Sequence, residues 1–288
     1  MPLAELAGVP VGDGCPVRLM AALNVSPESF HPGSVSRDAA ALREAAQRAA
    51  DEGADIIDVG AMSTAPYLQT EVPVTEEVRR MTWALEVVGA AVALPLSADT
   101  TRAAVASAAL SAGARIINDV SGLRADERMA EVATRAEGLV LTASEPANPD
   151  ARTAGRRARE APLTLVRRLL AESLERAARA GIGRERIVLD PGIGFFTRSD
   201  VAPDLFNCQV LAQLQSLLDL ARPLMVGVSR KSFIGRITGR ADPAERLWGS
   251  LGATAVAVYN GAAVVRTHDV APTRDVVRVA EAIRARRA

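Results

Sequence analysis

Eight short apolar runs, separated by stretches with helical periodicity, constrain the fold of this chain more than any other feature. The runs lie at 17–23, 55–59, 94–98, 115–117, 138–141, 187–189, 223–228 and 262–265. Continuously apolar strands are typical of parallel sheets that are buried on both faces. Strands joined through helices imply right-handed parallel crossovers. Eight such units predict an α/β protein with a closed (β/α)₈ TIM barrel, and an open doubly wound sheet is the alternative.

Apolar residues recur at helical spacing in most of the stretches between these runs. The predicted helices cover 38–52, 75–91, 102–112, 126–136, 162–180, 204–221 and 243–259. Thr273 is interpreted as the N-cap of a final helix over 274–286. The Pro-, Ala- and Arg-rich stretch 146–162 is interpreted as a loop after the fifth strand. Since no composition shift or long linker divides the 288 residues, we expect one domain over 1–288.

Composition excludes several classes of function. Lys plus Arg and Asp plus Glu each number 34, and this balance argues against binding nucleic acid or an anionic membrane through bulk charge. The chain contains no apolar run of about 18 residues and no signal-peptide pattern, so we expect no membrane segment. Cys15 and Cys208 make neither a disulfide framework nor a zinc-ligand spacing. These features are typical of a cytoplasmic enzyme in a reducing compartment.

Polar side chains follow almost every predicted strand. Side chains at the carboxyl ends of barrel strands build the active site in this fold. Seven of the eight ends carry an amide or an ionisable group: Asn24, Asp58, Asp99, Asn118 with Asp119, Asp190, Arg230 with Lys231, and Arg266 with His268. Carboxylates and amides suit a heterocycle with N–H donors and carbonyl acceptors. Lys231, Arg266 and His268 suit a phosphate or pyrophosphate.

Six stretches carry a more specific pattern. In chain order they are LNVSPESF (23–30), GADIIDVG (53–60), IINDVSG (116–122), LDPGIGF (189–195), GVSRKSFIG (227–235) and VRTHDV (265–270). Together they resemble the dihydropteroate synthase family, from about residue 17 to the C-terminus. The family fold is a (β/α)₈ barrel, which agrees with the strand count. Its members condense 6-hydroxymethyl-7,8-dihydropterin pyrophosphate with 4-aminobenzoate in folate biosynthesis and release pyrophosphate.

The resemblance implies a role for each candidate residue. The pterin is expected on Asp99, Asn118, Asp190 and Lys231. The pyrophosphate is expected on Asn24, Arg266 and His268, with Asn24 acting as a ligand of Mg²⁺. Ser229 and Arg230 are expected near the arylamine, and Asp58, Thr64, Phe195 and Gly227 complete the substrate-binding set. Lys231, Asp99 and Arg266 are the predicted catalytic residues. The resemblance also implies a homodimer that works on small-molecule substrates.

Several loops depart from the family pattern. The family's Glu-Ser-Thr-Arg-Pro-Gly is Met-Ser-Thr-Ala-Pro-Tyr at 62–67, and its Phe-Ser-Asp-Gly-Gly is Phe-His-Pro-Gly-Ser at 30–34. A His-Met pair is replaced by Ala143 and Ser144, and Gly-Phe-Gly-Lys is Gly-Phe-Phe-Thr at 194–197. Three alternatives therefore stay open. One is a paralogue that uses another arylamine, as in methanopterin-type pathways, and the others are a pterin-binding methyltransferase and a non-catalytic pterin-binding protein.

Overall fold

Eight parallel strands close into a barrel, as predicted. The computed structural model describes residues 3–25, 35–62, 72–144, 160–196 and 200–286. Each barrel strand pairs with the next along the chain, and the last pairs with the first. An N-terminal antiparallel hairpin consists of β1 (Ala4–Leu6) and β2 (Val9–Val11). The barrel consists of β3 (Arg18–Asn24), β4 (Ile56–Gly60), β5 (Leu96–Asp99), β6 (Ile116–Asp119), β7 (Gly138–Thr142), β8 (Ile187–Asp190), β9 (Leu224–Val226) and β10 (Ala262–Thr267).

Helices cover the outside of the barrel. They are α1 (Val35–Asp51), α2 (Val74–Gly89), α3 (Ala103–Ser111), α4 (Met129–Ala133), α5 (Pro162–Arg179), α6 (Pro203–Ala212), α7 (Ser232–Thr238), α8 (Leu247–Tyr259) and α9 (Val270–Arg284). All overlap a predicted helix except α7, the short helix after β9, which the sequence pattern did not predict. Short 3₁₀ helices occupy Leu214–Leu220 and Pro243–Arg246, where the sequence predicted continuous α-helix. Among the described residues, no helix is both long and apolar enough to cross a bilayer.

The predicted helix 126–136 is wrong in extent, because α4 has only five residues. The Asp119 carboxylate accepts hydrogen bonds from the backbone N–H groups of Ser121 and Leu123. Asp126 accepts a bond from the N–H of Arg128 in the same way. Such local side-chain acceptors compete with helical hydrogen bonds. The hydrogen bonds to Asp119 and Asp126 hold this segment in a turn in which Leu123 has a φ of 62°. Helix α4 begins only after this turn.

Thr273 is not a helix cap. Helix α9 begins three residues earlier, and Asp269 occupies the N-cap position. Thr273 is buried in the first turn, with its Oγ1 2.9 Å from Oγ1 of Thr267 at the end of β10. A tertiary hydrogen bond therefore takes the hydroxyl that the sequence pattern assigned to capping.

The N-terminal hairpin, which no sequence pattern predicted, packs against the bottom of the barrel. Leu6 and Val11 are fully buried in one cluster with Met20, Ile56 and Ile116 from the strands. The approach is close: a Cβ added to the first residue of β7, Gly138, would lie 2.9 Å from Cα of Leu6. Ile56, Ile116 and Gly138 begin their strands. The hairpin thus fills the amino-terminal end of the barrel and leaves the carboxyl end for the polar residues.

Replacing Leu6 by alanine should reduce the free energy of unfolding by about 2–5 kcal/mol, because the change empties a fully buried position. Urea denaturation measures the loss. Leu3→Ala, on a side chain that is 57% exposed, is the control and should change stability little. Equal effects of the two substitutions would contradict a closing role for the hairpin.

Candidate active site

Four strands bring acidic and amide side chains together inside the carboxyl end of the barrel. Asp58 lies on β4, Asp99 ends β5, Asn118 lies on β6 and Asp190 ends β8. Asp99 and Asn118 are register partners, so their side chains lie on the same face of the sheet. All four are buried, with at most 6% of each residue exposed. The fold therefore gathers predicted residues that are separated by up to 132 positions in sequence.

The side chain of Arg266 on β10 lies between these acidic side chains. Its Nε donates to Oδ2 of Asp58 at 2.6 Å, and its Nη2 donates to Oδ2 of Asp99 at 2.9 Å. The Asn118 side-chain amide also donates to Oδ2 of Asp58, at 3.0 Å. Burial lowers the pKa of Arg266, but the charges of Asp58 and Asp99 outweigh burial and hold it above its ordinary value. The guanidinium is thus a fixed cation in the interior.

Burial raises the pKa of the two carboxyl groups, those of Asp190 and Asp99, that end β8 and β5. Burial raises the pKa of Asp190 to about 6, although the Gly192 N–H donates to Oδ1 at 2.7 Å and opposes the rise. Burial also raises the pKa of Asp99, against the attraction of Arg266. In the part of the chain that is described, Asp99 Oδ1 and Asn118 Oδ1 are buried without a hydrogen-bond partner. Because unsatisfied buried acceptors are costly, a ligand with N–H donors would be stabilised beside them.

Lys231 enters the same space from the β9–α7 loop. Its Nζ donates to the carbonyl oxygen of Ile193 at 2.8 Å and lies 4.4 Å from the centroid of the Phe195 ring. Burial lowers the pKa of Lys231 to about 8, while the negative charge of Asp190 raises it. Gly194 has a φ of 88°, and a Cβ there would lie 2.8 Å from Cδ of Lys231. A glycine at this turn therefore leaves room for the lysine.

Asn24, Ser229 and His268 form a hydrogen-bonded row at the barrel mouth. His268 Nδ1 lies 3.1 Å from Oγ of Ser229, and its Nε2 lies 3.3 Å from Nδ2 of Asn24. Because the asparagine amide nitrogen can only donate, Nε2 is the acceptor and Nδ1 carries the proton. Partial burial and the charge of Arg266 lower the pKa of His268 to about 4. With Nδ1 donating to Ser229 and Nε2 accepting from Asn24, the ring is a neutral hydrogen-bonding group in the free protein.

The remaining predicted residues are less central. Gly227 follows β9, and a Cβ added there would make ordinary contact, at 3.6 Å, with Cβ of Arg266. Arg230 points to Asp269 and forms two hydrogen bonds with its carboxylate. Thr64 lies outside the described residues, as do positions 30–34 of the first loop.

One supporting group was missed in the sequence. Glu77 of α2 is 1% exposed and accepts hydrogen bonds from Oγ1 of Thr100, at 2.9 Å, and Nη1 of Arg102, at 2.8 Å. Thr100 directly follows Asp99, so Glu77 fixes the turn that presents this aspartate. A glutamate among many on an amphipathic helix carries no local signal of burial, so the contact could not be predicted.

Asn24 offers a metal ion only one ligand atom. Among the described residues no group of three or more His, Cys, Asp and Glu side chains is arranged around a cation. The Asn24 side-chain nitrogen is engaged by His268, which leaves its amide oxygen for a metal. Mg²⁺ keeps several waters and often takes phosphate oxygens instead of an all-protein shell. The residues present therefore fit Mg²⁺ only as an ion that is bound together with a phosphorylated substrate.

The sequence matches the model of a family described as "Pterin binding enzyme" over residues 20–268. Curated dihydropteroate synthases are similar to this chain along most of their length. The protein from Synechocystis sp. is 35% identical over 92% of this chain and 89% of its own length. The Escherichia coli protein is 35% identical over 92% of this chain and 90% of its own length.

Solved structures agree with these matches. The Xanthomonas albilineans dihydropteroate synthase with 4-aminobenzoic acid superposes with a TM-score of 0.83 and 37% identity. It covers 99% of this chain and 98% of its own. The same enzyme in complex with 7,8-dihydropteroate gives a TM-score of 0.81 and 35% identity, covering 99% of both chains.

The buried Asp190 makes a testable contribution to pH dependence. Its pKa is raised in the folded state, so the fold binds this proton more tightly than the unfolded chain does. The stability contributed by Asp190 therefore falls as the pH rises from about 4 to about 6. Asp190→Asn keeps an acceptor for the Gly192 N–H and removes this titration. The free energy of unfolding of the variant minus that of the parent protein should therefore be about 3 kcal/mol larger at pH 7 than at pH 4.

Urea denaturation at the two pH values measures this difference. Asp219→Asn is the matched control, because the Asp219 side chain is 74% exposed. A stability difference between Asp190→Asn and the parent that is the same at both pH values would show that Asp190 titrates normally.

Proposed function

This chain belongs to the pterin-binding enzyme family, and we propose that it catalyses the dihydropteroate synthase reaction of folate biosynthesis. It is a transferase that joins the methylene carbon of 6-hydroxymethyl-7,8-dihydropterin pyrophosphate to the amino group of 4-aminobenzoate. The observation that carries this function is the two-sided charge of the barrel mouth. Buried carboxylates and an amide lie on one side, and Arg266 and Lys231 lie against them.

The acidic side suits the pterin ring. Asp99 Oδ1 and Asn118 Oδ1 are acceptors without partners among the described residues, and a pterin presents ring and exocyclic N–H donors. Asp190 contributes a further carboxylate beside Lys231. The Lys231 ammonium can donate to the carbonyl and ring nitrogen acceptors of the same heterocycle. Asp58 shares its Oδ2 between Arg266 and Asn118 and orients both, and its Oδ1 is a further buried acceptor without a partner among the described residues.

Charge explains how the leaving group departs. The bond between the methylene carbon and the pyrophosphate oxygen breaks, and the pyrophosphate leaves with the electron pair. Arg266 and Lys231 stabilise its charge, and the second N–H of the Asn24 amide can donate to it, while His268 orients that amide. The cation that remains at the methylene is stabilised by Asp99 and Asp190. The arylamine nitrogen then forms the C–N bond and loses its proton to water, so no strong general base is required.

Magnesium fits this site through the substrate. Asn24 would hold the ion with its amide oxygen, and pyrophosphate oxygens and water would complete the shell. The bound ion would supply charge neutralisation of the leaving group.

The arylamine is assigned to the mouth beside Ser229. The Xanthomonas albilineans enzyme that resembles this chain was solved with 4-aminobenzoic acid, which supports the same acceptor here. The altered loops at 30–34 and 62–67 lie mainly outside the described residues and leave a different arylamine as the alternative.

A homodimer is supported by an apolar groove between α8 and α9. The groove has a volume of about 650 Å³ and is lined by side chains that include Trp248, Val256, Val279 and Ile283. Trp248 is 79% exposed and Val279 is 60% exposed. An exposed apolar patch of this kind marks an interaction surface, and a second copy of the chain is the occupant that the family resemblance implies.

Two further assignments complete the proposal. Residues 1–288 are one pterin-binding barrel domain, supported by barrel strands that pair in chain order. The free thiols of Cys15 and Cys208 suit a reducing cytoplasm.

The protein should release pyrophosphate from dihydropterin pyrophosphate when Mg²⁺ and 4-aminobenzoate are present, and omission of Mg²⁺ should slow the reaction. A coupled pyrophosphate assay, run also with bulkier arylamines, measures this. Lys231→Ala should lower kcat about 10²–10³-fold, because it removes a cation from the reacting centre, while the melting temperature stays close to that of the parent.

Each alternative gives a different result in this assay. Turnover only with a bulkier amine identifies a paralogue of changed acceptor. Pterin binding without turnover by any amine identifies a binding protein or a methyltransferase. Near-normal turnover by Lys231→Ala would remove lysine from the mechanism.

Trp248→Glu should convert the dimer to monomers, because it places a charge in the apolar groove. Sedimentation velocity measures the change. Leu205→Glu, on an exposed leucine of α6, is the control and should remain dimeric. A parent protein that is already monomeric at micromolar concentration would contradict the proposed interface.

A further inference from the structure

Two neighbouring loops carry the cationic side of the active site. The loop after β9 holds Ser229 and Lys231, and the end of β10 holds Arg266 and His268. Direct side-chain contact between the loops includes the bond between Ser229 and His268, which is 3.1 Å long. One such contact at an exposed mouth does not hold two loops in register.

An ion pair provides the stronger connection. Arg230 Nε donates to Oδ2 of Asp269 at 2.9 Å, and its Nη2 donates to Oδ1 at 2.6 Å. This two-point geometry fixes both distance and orientation. Nη1 of Arg230 lies 3.4 Å from the carbonyl oxygen of Pro243 and 3.3 Å from that of Ala244. All three guanidinium nitrogens are thus engaged by the protein, although Arg230 lies between two residues that face the site.

Asp269 gives up its usual local role for this pair. It is the N-cap residue of α9, where aspartate normally accepts a bond from the first helical N–H groups. Its side chain makes no such bond. The carboxylate turns toward Arg230 instead.

The backbone of Arg230 is held as firmly as its side chain. Its φ is 56°, in the left-handed region, which is unfavourable for a residue with a Cβ. Its N–H donates to Oγ of Ser250 at 2.8 Å, and its carbonyl oxygen accepts from Nη1 of Arg246 at 3.0 Å. This turn sends Ser229 toward His268 and Lys231 toward Ile193. Strained conformations that several contacts hold are typical of functional sites.

We propose that Arg230 and Asp269 are a positioning pair, which holds Ser229, Lys231 and His268 in their reactive arrangement without touching the substrate. The pair also keeps the charge of Asp269 neutralised beside the subsite that receives pyrophosphate. The turnover arm of its test rests on the proposed synthase function. Binding of inorganic pyrophosphate does not depend on that function.

Because Arg230 neutralises Asp269, the two single substitutions should have different effects on pyrophosphate affinity. Because the pair positions Lys231 and His268, its loss should lower pyrophosphate affinity to a similar extent in all three variants. Arg230→Met also leaves the Asp269 carboxylate unpaired next to an anion, so it should bind pyrophosphate about fivefold more weakly than Asp269→Asn. The double variant removes both charges, so its affinity should return to within about twofold of that of Asp269→Asn. A double variant that binds better than Arg230→Met is not expected from damage to the fold alone.

The experiment combines calorimetric titration with Mg²⁺ and inorganic pyrophosphate, steady-state kinetics, and melting temperatures for the parent, both single variants and the double variant. All three variants should lose about tenfold or more in kcat, because the reacting groups are displaced, while KM for 4-aminobenzoate changes less than threefold. Arg230→Lys keeps the charge and loses the two-point contact. It should therefore lose kcat but bind pyrophosphate no more weakly than Asp269→Asn, and it tests the positioning role in the kinetic arm if Arg230→Met fails to fold.

Arg115 and Glu137 provide the control pair. They make the same two-point contact at the opposite end of the barrel, just before β6 and β7. Arg115→Met and Glu137→Gln should leave kcat and pyrophosphate affinity unchanged.

Two results would overturn the proposal. A rise in KM for 4-aminobenzoate alone, with kcat kept, would make Arg230 a substrate contact. Losses of pyrophosphate affinity that simply add in the double variant would show that the two residues act independently. If the parent protein has no synthase turnover, the proposed function fails, and the pyrophosphate titrations still decide the role of the pair.

Discussion

The buried guanidinium of Arg266, held between Asp58 and Asp99, is the interaction on which the active site depends. An ion pair in a protein interior is costly to desolvate, and removing one partner leaves an uncompensated charge. Arg266 compensates two carboxylates at once, and Asn118 supplies a further bond to Asp58. This arrangement keeps acidic groups inside a barrel whose amino-terminal end is packed with aliphatic side chains. The same groups form the surface on which a heterocycle and its leaving group are proposed to bind.

The barrel separates stability from chemistry along its axis. The hairpin buries Leu6 and Val11 against the amino-terminal ends of the strands, and this end is apolar. The carboxyl end holds charges whose pKa values burial displaces, with Asp190 and Lys231 shifted toward neutral pH. Apolar packing at one end offsets the cost of burying charged groups at the other. A site can therefore hold strained electrostatics without unfolding the sheet that presents it.

Long-range contacts at the mouth act on groups that are proposed to bind the substrate. Glu77 fixes the turn after Asp99 from helix α2, and the Arg230–Asp269 pair links the loops that carry Lys231 and His268. The charges of this pair cancel beside an anion site. Positioning and electrostatics are thus coupled, because the contact that orients the loops also removes a repulsive carboxylate.

The sequence by itself determined the barrel and which polar side chains lie at its carboxyl end. Apolar runs without alternation reflect strands that are buried on both faces, and the polar residue at each strand end follows from the local sequence, so Asp99, Asn118, Asp190, Lys231 and Arg266 were all identifiable. The tertiary structure alone decided how they are used. It made Asp58 an orienting acceptor, His268 a neutral group, Thr273 an interior contact and Arg230 an ion-pair partner of Asp269. It also added the closing hairpin and the support from Glu77. These features depend on burial and on contacts between residues far apart in the chain, which change hydrogen bonding and pKa without leaving a periodic signal in the sequence.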